Sequence, residues 1–414
     1  MTATRTPFSD APAWVHRCAT DPELQVAGRD AAVTFAVRSD GARVVVTCDR
    51  GRFALGSGTP EFELAATPDA WARFFAPDPQ PCHHHFLAMR MRVPGTLVEG
   101  DERAYAQHAR IVHRVLALGR ELLHGPPAPD PDPEIDRSRI SERYVTAEVE
   151  GSPVDLHVAT AGTGTPLLVL HTAGADSRQA HALMSDAALT ARHEVIAFDL
   201  PGHGSSGRLP GPIGSWTLTT SRYGDTILAV VRALGLDRPI LLGASMAGEV
   251  CLEMAYRAPE AFRGVIACEA SEKVPGRTTP WARDPRVDTA TFVPEWIAGL
   301  IAPRSPRSCR EDILWTYSQG GAGAFAGDID FYSGDWDGTE KVPHIDTATC
   351  PVVMMTGEYD YSCTPRMSEQ TATRIPGAVF WEMPGLGHFP ICENPAAFAP
   401  HLARALQHLG GPRD

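Results

Sequence analysis

No Cys-x-x-Cys pair occurs in this 414-residue chain, and its nine cysteines are scattered and odd in number. That excludes a disulfide framework or a cysteine zinc cluster as an expectation. Buried free thiols in a reducing cytoplasm are expected instead, with cytoplasmic localisation. No apolar run is long enough to cross a bilayer, so no membrane span is expected. Met1 to Asp10 is polar, carries Arg5 and leads into no apolar core, so the pattern of a secretory signal is missing. Basic residues are scarce relative to acidic ones, 37 against 50, for a formal net charge of -13. Phosphate binding needs a basic face, so nucleic acid is not expected as a partner.

What is present describes an ordinary globular protein: 43% hydrophobic and 21% charged residues leave no reason to expect large-scale disorder. The length accommodates two domains. Residues 125–138, Gly-Pro-Pro-Ala-Pro-Asp-Pro-Asp-Pro-Glu-Ile-Asp-Arg-Ser, are too rich in proline for helix or sheet and predict a stiff, extended linker. The expected division is an α+β domain over 1–124, the linker, and a second domain over 139–414. Such a linker implies two separately folding units.

In the first domain, Val33, Phe35 and Val37 alternate with small or polar neighbours. Asp40-Gly41 and Asp49-Arg50-Gly51 mark turns into strands at Arg43 to Thr47 and Arg52 to Leu55, with Phe62 to Leu64 continuing the sheet. Helices are expected over Pro68 to Phe75 and over Glu102 to Leu123, the latter with Ile111, Val115, Leu118 and Leu122 on one face. This run ahead of Thr-Pro-Asp-Ala-Trp-Ala-Arg-Phe-Phe resembles the sterol-carrier-protein-like lipid-binding fold over about residues 12–124. The resemblance implies an apolar cavity or a surface for a homodimer; the alternative is a small α+β domain that packs on its neighbour. Cys82-His83-His84-His85 has the composition of a metal tract. Adjacent side chains point in different directions, so these histidines are poorly suited to chelate one ion, and no metal is expected.

After the linker, strand and helix alternate. A hairpin is expected over Tyr144 to Val149 and Val154 to Ala159. Strands follow at Pro166 to His171, Glu194 to Asp199, Pro239 to Gly243, Gly264 to Cys268, Cys350 to Thr356 and Val379 to Met383. Helices are expected at Ser177 to Thr190, Thr219 to Leu234, Val250 to Tyr256 and Pro395 to Leu409. Alternation of this kind builds a mostly parallel sheet covered by helices on both faces.

Gly243-Ala244-Ser245-Met246-Ala247-Gly248 lies between a buried strand and a helix. A nucleophile on a tight strand-to-helix turn needs small neighbours, which Gly243 and Ala247 supply. With the motifs around it, this stretch resembles the α/β-hydrolase superfamily, in its capped, esterase-like form, although Ala247 stands where many members have glycine. The resemblance implies the α/β-hydrolase fold and a Ser245, Asp360, His388 triad in the chain order that superfamily uses. Asp360 comes from Gly357-Glu358-Tyr359-Asp360 just past a late strand, and His388 from Gly385-Leu386-Gly387-His388 before the closing helix. Glu358 and Glu269 are the lesser candidates for the acid. Leu170-His171-Thr172-Ala173-Gly174-Ala175-Asp176 falls where the oxyanion loop should be, with His171-Thr172 in place of the usual histidine-glycine pair. Its donors are backbone N–H groups, assigned to Met246 and Ala173 with Thr172 as fallback. Phe198 to Ser206 resembles a strand-end turn common in the superfamily, and His203 within it is read as structural.

A histidine titrates near ~6.5 when unperturbed, so it can take a serine proton and return it near neutrality. No metal or organic cofactor is needed. About residues 270–345 read as a cap, with Trp281, Trp296, Trp315, Trp336, Phe292, Tyr317, Phe331 and Tyr332. Aromatics there either bind an apolar substrate or form the cap's own core. The expected activity is serine hydrolysis of a small or medium apolar ester, lactone or thioester through an acyl-enzyme on Ser245. Carbon–carbon bond hydrolysis, or polyketide-type release or cyclisation, uses the same triad and is the rival. A non-catalytic ligand-binding protein on the same fold is the second.

Overall fold

The computed structural model describes residues 6–410, so Met1 to Arg5, the first half of the polar amino terminus, lie outside it. By its contacts the chain forms two compact units. Of the described residues, one comprises 6–129 together with 283–299, and the other 130–282 and 300–410.

The smaller unit is built on a five-stranded sheet of order β3-β2-β1-β4-β5, with β1 Ala32–Ser39, β2 Ala42–Asp49, β3 Arg52–Leu55, β4 Phe62–Ala65 and β5 Leu97–Gly100. β1 to β3 form an antiparallel meander, and β4 returns parallel to β1. Inward side chains of β1 and β4 meet as the stacked pair Phe35 and Phe62. Trp14, Trp71 and Phe75 fill another part of this core, and the Trp14 indole N–H donates to the Val115 carbonyl at 2.8 Å. The long helix expected from Glu102 breaks at His108, whose ring nitrogen lies 2.8 Å from the Ala104 carbonyl; it continues as Ala109–His124. Helices Ala11–Ala19, Pro22–Ala27 and Phe86–Arg92, and strand β5, lie outside the segments named from the sequence.

Segment 283–299, which the sequence assigns to the cap, belongs to this smaller unit. Its helix Thr289–Ala298 packs on Ala109–His124, with His113 Nδ1 3.1 Å from the Glu295 carboxylate. The three histidines of the 82–85 tract serve different neighbours. His83 lies 3.4 Å from the Pro81 carbonyl, His84 2.7 Å from the Gly299 carbonyl, and His85 accepts the Leu87 N–H. Among the described residues no group of three or more His, Cys, Asp or Glu could hold a metal ion.

The larger unit carries an eight-stranded sheet of order β13-β12-β11-β10-β8-β9-β7-β6. Its strands are β6 Ser141–Val149, β7 Ser152–Ala161, β8 Thr165–Leu170, β9 His193–Phe198, β10 Ile240–Ala244, β11 Gly264–Cys268, β12 Val352–Gly357 and β13 Val379–Met383. β8 to β13 are parallel neighbours, and only the β6–β7 hairpin and its edge on β9 are antiparallel. Every residue of β10, β11 and β12 is buried, as a central strand covered on both faces requires. Ile240, Leu242 and Ala244 face one core with Leu183, Phe398 and Leu402.

The helix expected over Ser177 to Thr190 is three short turns, Ser177–Ala180, His181–Ser185 and Ala187–Thr190. Asp186 interrupts it because its carboxylate caps the N–H groups of Ala188 and Leu189. The proline-rich segment forms neither helix nor strand from Gly125 to Asp136, and from Asp130 onward it is tied to the larger unit. Asp130 receives Arg304 and Asn394, Asp132 receives the Ser308 N–H, and the Asp136 N–H donates to Ser185. All nine cysteines are unbridged. Among the described residues no helix is long and apolar enough to cross a membrane.

Candidate active site

Buried β10 ends directly in Ser245, whose φ of 61° lies in a region that costs a non-glycine residue strain. The turn is held by the Ser245 N–H, which donates to the Cys268 carbonyl at 3.0 Å, and by helix Met246–Arg257, which starts at the next residue. That helix presses on the end of β11. A β-carbon on Gly248 would fall 2.2 Å from the Cys268 carbonyl oxygen, so only glycine fits. Sequence reasoning stressed Gly243 and Ala247; Gly248 is equally demanded, for a contact with a strand twenty residues on that no local pattern reveals. The Ser245 side chain is buried.

Asp360 and His388 come from the turns after β12 and β13 and are both buried. His388 Nδ1 lies 2.6 Å from Asp360 Oδ2. The other carboxylate oxygen accepts the N–H groups of Ser362 at 2.7 Å and Cys363 at 3.2 Å. A carboxylate so held is an acceptor only, so Nδ1 carries the proton and Nε2 keeps its lone pair. The His388 N–H is anchored on the Leu300 carbonyl at 2.9 Å, and the Tyr332 ring stands 6.2 Å from the imidazole.

Neither lesser acid reaches the histidine. Glu358 accepts the Gly385 N–H at 2.9 Å. Glu269 is fully buried and accepts the Gly357 N–H at 3.0 Å; its second oxygen has no partner among the described residues. Burial, and then the charge of Asp360, push the Glu269 carboxyl well above the usual range, which favours its neutral form.

The loop after β8, the candidate oxyanion loop, is fixed by side chains. The Thr172 N–H is taken by Gln179 Oε1 at 2.9 Å, and the Thr172 hydroxyl meets the Tyr317 hydroxyl at 2.7 Å. The fallback donor is therefore committed elsewhere. The Ala173 N–H has no partner among the described residues. The Met246 N–H opens a helix, where first-turn donors lack intrahelical acceptors. His171 accepts the Leu200 N–H through Nε2 and donates through Nδ1 to the Thr172 carbonyl at 2.9 Å. Burial lowers its pKa, in keeping with a neutral ring. His203 is buried in an ion pair with Asp328 at 2.9 Å.

Gln179 and Asp328 are the site-forming residues that sequence reading missed, and neither lies in a motif. Tyr317 and Tyr332 were flagged only as cap aromatics, and of those Trp336 is core, its indole N–H donating to the Ser271 carbonyl at 2.9 Å.

A model of the Alpha/beta hydrolase family matches residues 167–401. Among curated proteins, the dihydrolipoyllysine-residue acetyltransferase component of the acetoin cleaving system of Pseudomonas putida is 36% identical over 99 residues, 23% of this chain and 24% of that protein. The match thus spans only about a quarter of that relative. An uncharacterized protein of Mycobacterium bovis is 26% identical over 270 residues, 59% of this chain and 76% of its own. Among solved structures, a thermophilic esterase from Thermogutta terrifontis superposes with a TM-score of 0.56 at 23% identity, covering 66% of this chain and 100% of the esterase. The enol-lactonase from Burkholderia xenovorans gives 0.53 at 19% identity, over 64% and 99%. At these identities the structural likeness is one of fold.

Proposed function

Because this chain belongs to the alpha/beta hydrolase family, we propose that it is a serine hydrolase that cleaves an apolar ester, lactone or thioester through an acyl-enzyme on Ser245. The observation that carries this reading is the 2.6 Å bond between Asp360 and His388 Nδ1, which leaves Nε2 as the base. Ser245, at the end of β10, is the hydroxyl for that base to activate.

In this reading the Ser245 hydroxyl attacks the acyl carbonyl as His388 Nε2 takes its proton. The developing oxyanion is received by the N–H groups of Met246 and Ala173. Collapse expels the alcohol or thiol, which takes the proton back from His388. Water then attacks the acyl-enzyme by the same route in reverse, and the carboxylic acid leaves. Asp360 holds the imidazole tautomer and stabilises the imidazolium. Tyr317, Phe325 and Phe389 pack edge to face beside the oxyanion loop. They favour an apolar or aromatic substrate, and the esterase and lactonase neighbours favour the same bond types.

The test is labelling with a fluorophosphonate probe together with a panel of p-nitrophenyl esters and lactones. Wild-type protein is expected to be labelled at Ser245 and to turn over at least one member of the panel. Folded Ser245→Ala should lose both, turnover by on the order of 10⁴-fold. Labelling at another residue, or more than a few per cent residual activity in that variant, would overturn the assignment.

A further inference from the structure

Asp328 is fully buried on the cap helix Ala324–Asp330, and 154 residues of sequence separate it from the oxyanion loop it touches. One carboxylate oxygen accepts the Gly174 N–H at 2.8 Å and the His203 Nε2–H at 2.9 Å. The other accepts the Trp216 indole N–H at 2.7 Å. His203 Nδ1 faces the Pro201 carbonyl at 3.2 Å, so both ring nitrogens point at acceptors and the ring is an imidazolium. Burial is the largest single effect and lowers the His203 pKa, but the Asp328 charge and hydrogen bond, with the Pro201 carbonyl and the Asp199 charge, together outweigh it and leave the pKa raised. Burial likewise works against the Asp328 carboxylate, yet His203 and the three N–H donors hold its pKa down. The result is a closed ion pair with every donor matched, and a backbone N–H of the oxyanion loop is one of those donors.

That N–H adjoins the proposed oxyanion donor. The peptide plane bearing the Ala173 N–H is set on its carbonyl side, where the Thr172 oxygen takes the His171 Nδ1–H at 2.9 Å and the Ala175 N–H at 3.1 Å. The next plane bears the Gly174 N–H, and Asp328 sets it. Gly174 has a φ of 71°, and a β-carbon there would come within 2.8 Å of Phe325 Cβ, so loop and cap helix are in direct contact. One turn beyond Asp328 the helix widens into a π-turn, Phe331–Asp335. Such turns concentrate at functional sites. There the Tyr332 hydroxyl lies 3.0 Å from Ser362 Oγ, and the Ser362 N–H holds Asp360. A single cap segment therefore touches the oxyanion loop through Asp328 and the acid turn through Tyr332.

We propose that Asp328 is a positioning residue for the oxyanion hole, fixing the Ala173–Gly174 peptide so that seating of the cap helix becomes a condition for an aligned donor. This rests on the serine-hydrolase reading of Ser245. A purely structural ion pair would make a different prediction, because misalignment of the loop weakens transition-state binding and leaves ground-state binding alone.

The experiment compares full-length wild type, Asp328→Asn and Trp216→Phe, with active sites counted by fluorophosphonate titration. An alkyl trifluoromethyl ketone serves as the transition-state ligand, and the unfluorinated ketone as its ground-state counterpart. Loss of a whole oxyanion donor costs about 10²–10³ in kcat. For Asp328→Asn we expect a fall of ~10–100-fold in kcat with KM within about 2-fold, and a parallel loss of trifluoromethyl ketone affinity without change for the plain ketone. Trp216→Phe removes a donor only from the opposite oxygen and should stay within about 3-fold. Should Asp328→Asn not accumulate folded, His203→Gln gives the same reading, with both losses smaller but still in step. kcat and trifluoromethyl ketone affinity within about 3-fold of wild type in the folded variant would overturn the proposal. So would a fall in kcat that the transition-state ligand does not follow. Wild-type protein that the probe fails to label would defeat the Ser245 reading itself, and this proposal with it.

Discussion

Glu269 accepts the backbone N–H of Gly357 at 3.0 Å, which ties the residue closing β11 to the turn that presents Asp360. Glu269 adopts a φ of 48° to do so, and burial pushes its carboxyl toward the neutral form. A carboxyl held that way braces the turn and is poorly suited to the imidazolium-stabilising role proposed for Asp360. We expect Asp360→Asn to lower kcat by ~10³–10⁴-fold, because the amide no longer holds the Nδ1–H tautomer. Glu269→Gln keeps an acceptor for Gly357 and should cost less than about 10-fold. Steady-state rates of the two folded variants decide the matter, and a larger loss in the glutamine variant would transfer the role to Glu269.

Gln179 supports the other half of the site. Its amide oxygen takes the Thr172 N–H at 2.9 Å, and its amide nitrogen donates to the Thr172 hydroxyl at 2.9 Å. Gln179→Leu keeps the bulk and strands a buried N–H, which costs about 1–3 kcal/mol. Urea unfolding midpoints should fall accordingly, with an unchanged m-value. An unchanged midpoint would mean that water or a rearranged loop satisfies Thr172.

The places of the strands along the chain, though not their order in the sheet, were readable because each parallel strand is a short apolar run followed by a turn signal; Gly264 to Cys268 and Val379 to Met383 match the observed bounds. The proposed triad of Ser245, Asp360 and His388 could be named from the sequence for a related reason. Each sits on the turn directly after a strand or one loop beyond it, where local pattern and chain order carry the information. Asp328, Gln179 and Gly248 act through partners distant in sequence or on another element, and nothing in their immediate neighbours marks them. The helix Thr289–Ala298 was assigned to the cap by its place in the chain. Its packing on Ala109–His124 depends on contacts across more than 160 residues, which periodicity does not encode. The proline-rich stretch read as a linker for its backbone chemistry. The aspartates between its prolines tie it to the larger unit, and composition cannot tell a tethered extended segment from a free one.

Glu393 gives a pH dependence of known sign. It is fully buried, accepts the Gly387 N–H beside His388, and has its second oxygen unpartnered among the described residues. Burial raises its pKa to about 7, against the opposing pull of the backbone N–H of Gly387. An unfolded glutamate titrates near ~4.3. Between those values the native state holds a proton that the unfolded state has lost, so stability falls as pH rises through about 4.5 to 7 and levels off above. Glu393→Gln keeps an acceptor for Gly387 and cannot ionise. The variant should gain on the order of 3 kcal/mol over wild type at pH 8, and nothing at pH 4. Denaturant unfolding of both proteins at the two pH values checks this. An equal offset at both would show that Glu393 is not the titrating group.

The helix Thr289–Ala298 bears on what happens when the first domain is removed. A fragment beginning near Arg139 keeps the Ser245, Asp360 and His388 turns, but it deletes every partner that segment 283–299 has in its own unit. Phe292, Val293 and Ile297 are buried. His113 holds Glu295, and Gln107 Nε2 donates to the Arg286 carbonyl at 2.7 Å. Fully burying an aromatic or branched side chain contributes ~1.5–3 kcal/mol, so exposing three approaches the ~5–15 kcal/mol by which a domain is stable. The polar groups of Glu295 and Arg286 lose their partners as well. We expect the 139–414 fragment to aggregate or to elute as large species, because the freed helix presents a contiguous apolar face. Replacing Phe292 and Ile297 by serine in that fragment should restore solubility without restoring the helix. Size-exclusion chromatography with fluorophosphonate labelling, run beside the full-length protein, reads the outcome. A soluble, monomeric 139–414 fragment labelled as fast as the whole chain would show that segment 283–299 folds without the first domain.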